Sequence, residues 1–160
     1  MFYCYYNADC TALKMESDGD FLTRLSFTDK NQIPPNKDVN IPVFDDVKKW
    51  LNIYFSGRAP DFTPAIKLTG TDFQMKVWAR LTEIPFGKTV TYGELAKEIA
   101  AKTGKEKMSA QAIGGAVGKN PIGIIVPCHR VIGRNGSLTG FAGGIEVKKR
   151  LLELERAFDL

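Results

Sequence analysis

Cys128 and His129 stand side by side at the end of an apolar run, Ile124-Ile125-Val126-Pro127, and His129 is the single histidine of the chain. Any step that requires an imidazole must use it. A thiol beside a base is the smallest apparatus for nucleophilic catalysis, because the thiolate is the reactive form. Three readings fit the pair: an inert buried cysteine beside a hydrogen-bonded histidine, a cysteine-hydrolase dyad, and stoichiometric capture of an alkyl group by the thiolate. Both active readings need His129 to draw the thiol proton, directly or through water. They also need a carboxylate to orient the ring and stabilise the imidazolium. Glu155 is the best placed. It shares one helical face with Leu151, Leu152 and Phe158, and a carboxylate on an apolar stripe needs a partner. A tilt that exposes Glu155, or an ion pair with Lys148 or Arg156, is the alternative.

Other chemistries find little support. The three cysteines, Cys4, Cys10 and Cys128, are odd in number and fit no disulfide framework, which suits a reducing compartment. Cys4 and Cys10 have no CxxC and no second histidine, so no metal site is expected. The glycine-rich stretch 140–144 does not join a strand to a helix in the dinucleotide pattern, and no cofactor is expected. No apolar run is long enough to span a membrane. Residues 1–6 lack the basic and apolar regions of a signal peptide, so they are expected to form the first strand of a cytoplasmic protein.

The elements that must position the pair follow from periodicity. Residues 2–6, 11–16 and 21–27 alternate as short strands, with Asp18-Gly19-Asp20 as a turn. Residues 31–40, with Pro34-Pro35, read as a loop. Residues 44–55 read as a helix with Phe44, Val47, Leu51 and Tyr54 on one face. A break at 57–64 places a domain boundary there: 1–64, a small antiparallel-sheet domain with a helix, and 65–160, mainly helical. The class is therefore α+β.

In the second part, Thr71 with Gln74 and Thr91 with Glu94 are capping-box patterns that open two helices. The first carries Phe73, Val77, Leu81 and Ile84 on one stripe and ends at Pro85-Phe86-Gly87. Ser109 caps a third helix, 110–118, after a polar, lysine-rich loop. The second and third helices form a helix-turn-helix candidate. Gly114-Gly115 thins the third helix at a cost in stability, which close packing or close approach of a ligand would explain. Residues 123–126 read as a short buried strand or extended segment. Pro127 biases Val126 to extended geometry, placing Cys128 at the end of a rigid element. Residues 145–158 read as the last helix.

Charge divides along the same line. Residues 1–64 carry a net charge of −2 and residues 65–160 a net charge of +6. The excess lies in the half that holds Cys128, as a polyanionic partner or an ordinary solvated surface would have it.

Pro127-Cys128-His129-Arg130-Val131 closely resembles the active-site signature of the O6-alkylguanine-DNA alkyltransferases. Flanking blocks agree: Gly70-Thr71-Asp72-Phe73-Gln74 with Val77-Trp78, then 84–93, Ala112-Ile113-Gly114-Gly115-Ala116 with Asn120-Pro121, and Gly140-Phe141-Ala142-Gly143-Gly144. The match covers roughly residues 60–156. The resemblance implies irreversible transfer of an alkyl group from guanine O6 to Cys128, with O4 of thymine as a second donor. It further implies that His129, held by Glu155, deprotonates the thiol through a water, that Asn120 buttresses the active-site turn, and that Tyr92 donates toward the guanine ring and aids flipping. The carbonyls of Cys128 and Val131 would accept from the guanine amino group, and the N–H of Ala142 would face O6. Val117, Phe141 and Lys148 would help to form the pocket.

The partner implied is double-stranded DNA, bound by a monomer through the minor groove with little sequence preference and the base flipped out. Thr91, Tyr92, Gln111, Ala112, Gly114, Gly115, Ala116 and Arg130 would contact it. Gln111 departs from the arginine of many members, and Phe141 and Ala142 from the tyrosine and serine of some.

Overall fold

The computed structural model describes residues 1–35, 39–138 and 140–156. It has the α+β class that the pattern predicts. It divides into two compact units, one of residues 1–68 with 121–123, the other of residues 69–120 and those from 124 onward.

In the first unit, β1 (Phe2–Asn7), β2 (Ala12–Ser17) and β3 (Leu22–Thr28) form an antiparallel sheet in that order. The register sets Cys4 against Met15 and Met15 against Leu25, so one face gathers apolar side chains, all three buried. Asp18 closes the β2–β3 turn, its Oδ1 accepting from the N–H of Asp20 at 3.0 Å and of Phe21 at 2.9 Å. Within the expected loop a short 3-10 turn, Lys30–Gln32, is capped by the Asp29 side chain. Residues 36–38 of that loop lie outside the described residues. Helix α1 (Pro42–Phe55) begins ahead of the predicted residue 44, because Pro42 occupies the first turn, where a missing N–H is harmless. Its predicted face, Phe44, Val47, Leu51 and Tyr54, is buried, together with Val43 and Trp50. Pro121–Gly123 belongs to this unit through two backbone bonds of 2.9 Å, Leu25 N–H to Pro121 O and Gly123 N–H to Leu25 O.

The second unit holds α2 (Asp72–Leu81), β4 (Val90–Thr91), α3 (Tyr92–Thr103), α4 (Ala110–Gly118), β5 (Val131–Ile132) and α5 (Ile145–Leu154). Both predicted capping boxes form, Thr71 with Gln74 and Thr91 with Glu94. Ile84 lies past the end of α2 rather than on its stripe, yet it is buried. Helix α4 packs on α2 and α3. The Trp78 indole N–H donates to the carbonyl of Ala116 at 2.9 Å, joining α2 to α4. Gly70 makes room for the same ring, since a Cβ there would lie 2.6 Å from it.

Two predicted elements are corrected. Residues 123–125 form a turn, not a strand, with Ile124 at φ 68. A β-branched residue is rarely found there, but burial of its side chain holds it. Cys128 consequently opens a 3-10 turn, Cys128–Arg130, instead of ending an extended element. The last helix ends at Leu154 and makes Glu155 its C-cap. Phe158, expected on the face of Glu155, lies outside the described residues. Among the described residues, no helix is long and apolar enough to cross a membrane.

Candidate active site and nucleic-acid interface

The Cys128 turn is fixed from both ends. The Cys128 N–H donates to Val126 O at 2.8 Å, and the Arg130 N–H to Pro127 O at 3.0 Å. The Asn120 amide donates to Val126 O at 2.8 Å, two residues before Cys128. The parallel pairing of β4 with β5 then ties the segment after Cys128 to Thr91, next to Tyr92 at the start of α3. These ladder strands are two residues each and carry no periodicity to read.

His129 is fully buried, and its Nε2 faces Glu155 Oε2 at 2.5 Å. The carboxylate accepts, so Nε2 carries the hydrogen and the lone pair of the neutral ring lies on Nδ1. Glu155 is 3% exposed, which removes the solvent-tilted alternative. It also accepts from Arg130 Nε at 2.8 Å and from the Gly87 N–H at 3.0 Å. Burial raises a carboxyl pKa, but here the hydrogen bonds from His129 and Arg130, with the charge of Arg130, outweigh it and hold Glu155 down at about 2. Burial also pushes the His129 pKa down, against the opposing pull of Glu155.

Arg130 is corrected as a DNA contact. It is 8% exposed, donating to Glu155 and, through one terminal nitrogen, to Ile84 O at 2.6 Å. Sequence reading missed this clamp and the part of Gly87 in it. The only local signal is the Pro85-Phe86-Gly87 turn, where Gly87 has φ 80 and a Cβ would meet the Glu155 carbonyl at 3.1 Å.

Cys128 is half-buried. Burial raises its thiol pKa, while the Asn120 hydrogen bond and the charge of Lys148 pull it down. Lys148 is completely buried, donates to Val131 O at 2.6 Å and stands 5.8 Å over the Tyr92 ring. Burial lowers its pKa and Cys128 raises it. Its Nζ is held at the Val131 carbonyl, so it is not the partner of Glu155. Burial, then the negative charge of Cys128, raises the Tyr92 pKa, so its hydroxyl remains a donor at neutral pH. The carbonyls of Cys128 and Val131 each have an internal donor, the Val131 N–H and Lys148, and each keeps a second lone pair.

Val117 and Val131 are buried, Phe141 is half-buried and Ala142 exposed. Nearby, a groove of about 890 Å³ is lined by residues that include Thr91, Tyr92, Gln111, Gly114, Arg134 and Asn135. Gln111, Ala112 and Gly115 are exposed on α4, and Gly114 is half-exposed. Ala116 is corrected: it is 4% exposed and faces the other helices.

Comparison with known proteins shows what the chain as a whole is similar to. Residues 72–157 match the family model described as 6-O-methylguanine DNA methyltransferase, DNA binding domain. The chain is 42% identical to the methylated-DNA–protein-cysteine methyltransferase of Haemophilus influenzae, covering 98% of this chain and 87% of that one. It is 40% identical to that of Methanosarcina acetivorans, covering 97% and 98%. Among solved structures, Mycobacterium tuberculosis OGT in complex with DNA is similar at TM-score 0.81 and 41% identity, covering 98% of this chain and 94% of that one. Motif, geometry and likeness over nearly the full length together place this chain in the O6-methylguanine-DNA methyltransferase family.

Proposed function

We propose that the protein repairs DNA by moving a methyl group from O6-methylguanine to Cys128, one lesion per molecule. The observation that carries this is the buried His129–Glu155 pair at 2.5 Å, immediately beside Cys128 in a 3-10 turn. Nδ1 of His129 takes the thiol proton through a water, and Glu155 stabilises the imidazolium that results. The thiolate attacks the alkyl carbon, forming the S–C bond as the C–O6 bond breaks. The electron pair released goes to guanine, which regains its proton from the donors around it. Tyr92 donates a hydrogen bond toward the guanine ring as charge develops. The thioether formed cannot be hydrolysed, so the molecule is consumed. O4 of thymine offers the same leaving-group chemistry as a second donor.

DNA binding and transfer are assigned to residues 65–160, and residues 1–64 to a separate small domain. The lesion base must leave the stack to reach Cys128. Helix α4 enters the minor groove, where exposed Gln111, Ala112 and Gly115, with half-exposed Gly114, permit close approach. Gln111 fills the space the base leaves. The protein acts as a monomer in the cytoplasm, with little sequence preference.

Incubation with duplex DNA containing O6-methylguanine, followed by intact and peptide mass spectrometry, tests this. The expected result is one methyl group on Cys128, one equivalent of guanine restored, and no further turnover. An unmodified protein that still binds the lesion, or repeated turnover, would overturn it.

A further inference from the structure

Helix α4, Ala110–Gly118, contains no charged residue. A helix laid against DNA without a cation contributes almost nothing to the phosphate term that dominates duplex affinity. Cations on the groove beside it are placed to supply that charge. Its lining holds two cations, Lys97 and Arg134, and one acid, Glu94. The Glu94 carboxylate is occupied as the capping-box acceptor for the Thr91 N–H at 3.1 Å.

Arg134 stands on a closed turn. The Gly133 N–H donates to Ser137 O at 2.7 Å, and the Gly136 N–H to Gly133 O at 3.1 Å. Asn135 between them is left-handed at φ 61, a conformation asparagine tolerates. A Cβ on Gly133 would come within 2.5 Å of Ser137 Oγ, so the turn closes tightly. The Arg134 side chain is exposed, with no ion-pair partner among the described residues. A guanidinium on a pre-formed turn, beside a helix that presents Gln111, suits a phosphate oxygen pair.

We propose that Arg134 is a DNA-backbone contact of this groove, and that it supplies the charge that Gln111 does not. The proposal rests on the DNA-repair reading above. The experiment measures binding of an unmodified duplex against salt for the wild type, Arg134→Gln and Arg134→Lys. One lost phosphate contact should lower the log–log salt slope by about 0.9 and weaken binding about fivefold at moderate salt in Arg134→Gln. Arg134→Lys should keep the wild-type slope. An unchanged slope in Arg134→Gln overturns the proposal. So does a loss matched by an equal slowing of reaction with free O6-benzylguanine, which reads the Cys128 site without DNA. A wild-type protein that binds duplex but takes no methyl group would sink the proposed function and leave the slope comparison standing.

Discussion

The reactivity of Cys128 is a contest between burial, which keeps the proton on sulfur, and the pull of Asn120 and Lys148, which favours the thiolate. Lys148→Gln removes one side of that contest. The rate of transfer from free O6-benzylguanine, measured from neutral to alkaline pH, should then rise only at higher pH. At neutral pH the rate should fall about tenfold for each unit the thiol pKa moves up. An unmoved profile would show that Lys148 does not set the thiolate fraction. Glu155 carries a stability consequence. Its folded pKa, about 2, lies below the ordinary 4.5. The unfolded chain thus binds the proton first, and the stabilisation is present above pH 4.5 and lost as pH falls toward about 2. Buried neutral His129 acts with the same sign from its ordinary 6.5 downward. Glu155→Gln should cost about 3 kcal/mol at neutral pH, since the shift is worth ~1.4 kcal/mol per unit and Arg130 would be left unpaired. Urea denaturation at a series of pH values checks both the cost and the flatter acid limb of the variant.

The glycines of α4 separate two explanations of a thin helix. A Cβ on Gly114 would make only ordinary contact with the Tyr92 ring, at 3.9 Å, and one on Gly115 would meet no described atom within 4 Å. Internal packing therefore does not require a glycine at 115, and helix propensity argues against it. Close approach of a partner to the exposed face is the reason proposed above. Gly115→Ala should raise stability by about 0.5–1 kcal/mol, because alanine loses less backbone entropy on folding. The same methyl group should weaken duplex binding severalfold if α4 lies in the minor groove. A variant that gains stability and binds DNA as well as the wild type would place the groove contact elsewhere on the helix.

For the molecule as a whole, the net charge of +6 on residues 65–160 sets how binding responds to salt. Affinity for an undamaged duplex should fall linearly in log–log form with salt, about 0.9 for each phosphate neutralised, and vary little with sequence. Reaction with free O6-benzylguanine should be nearly insensitive to the same salt range. Equal salt dependence of both would mean that salt acts on the chemistry and not on DNA association. Because each molecule carries one Cys128, repair should stop at one equivalent of protein per lesion, read by counting restored guanine against protein added.

Local pattern was enough for whatever neighbouring residues decide among themselves. The sheet alternation, the buried face of α1 and the two capping boxes are short-range physics, in which side-chain spacing and a Thr-to-Gln or Thr-to-Glu reach settle the outcome. Cys128, His129 and Glu155 were legible for a related reason: one histidine, one adjacent thiol and one acid on an apolar stripe leave few pairings. What folding alone decided were the contacts far apart in the chain. The two-residue β4–β5 ladder is too short to have a period. The left-handed Ile124 turn runs against its residue's own preference and is held by burial. Arg130 reads locally as a surface cation, but the buried Glu155 carboxylate claims it, since an acid held away from water needs more than one donor. Ala116 reads as one more small residue on an open helix face, and the Trp78 bond turns that position inward. These are packing outcomes, fixed by which surfaces meet and which buried polar atoms must be satisfied, and no window of neighbouring residues contains that information.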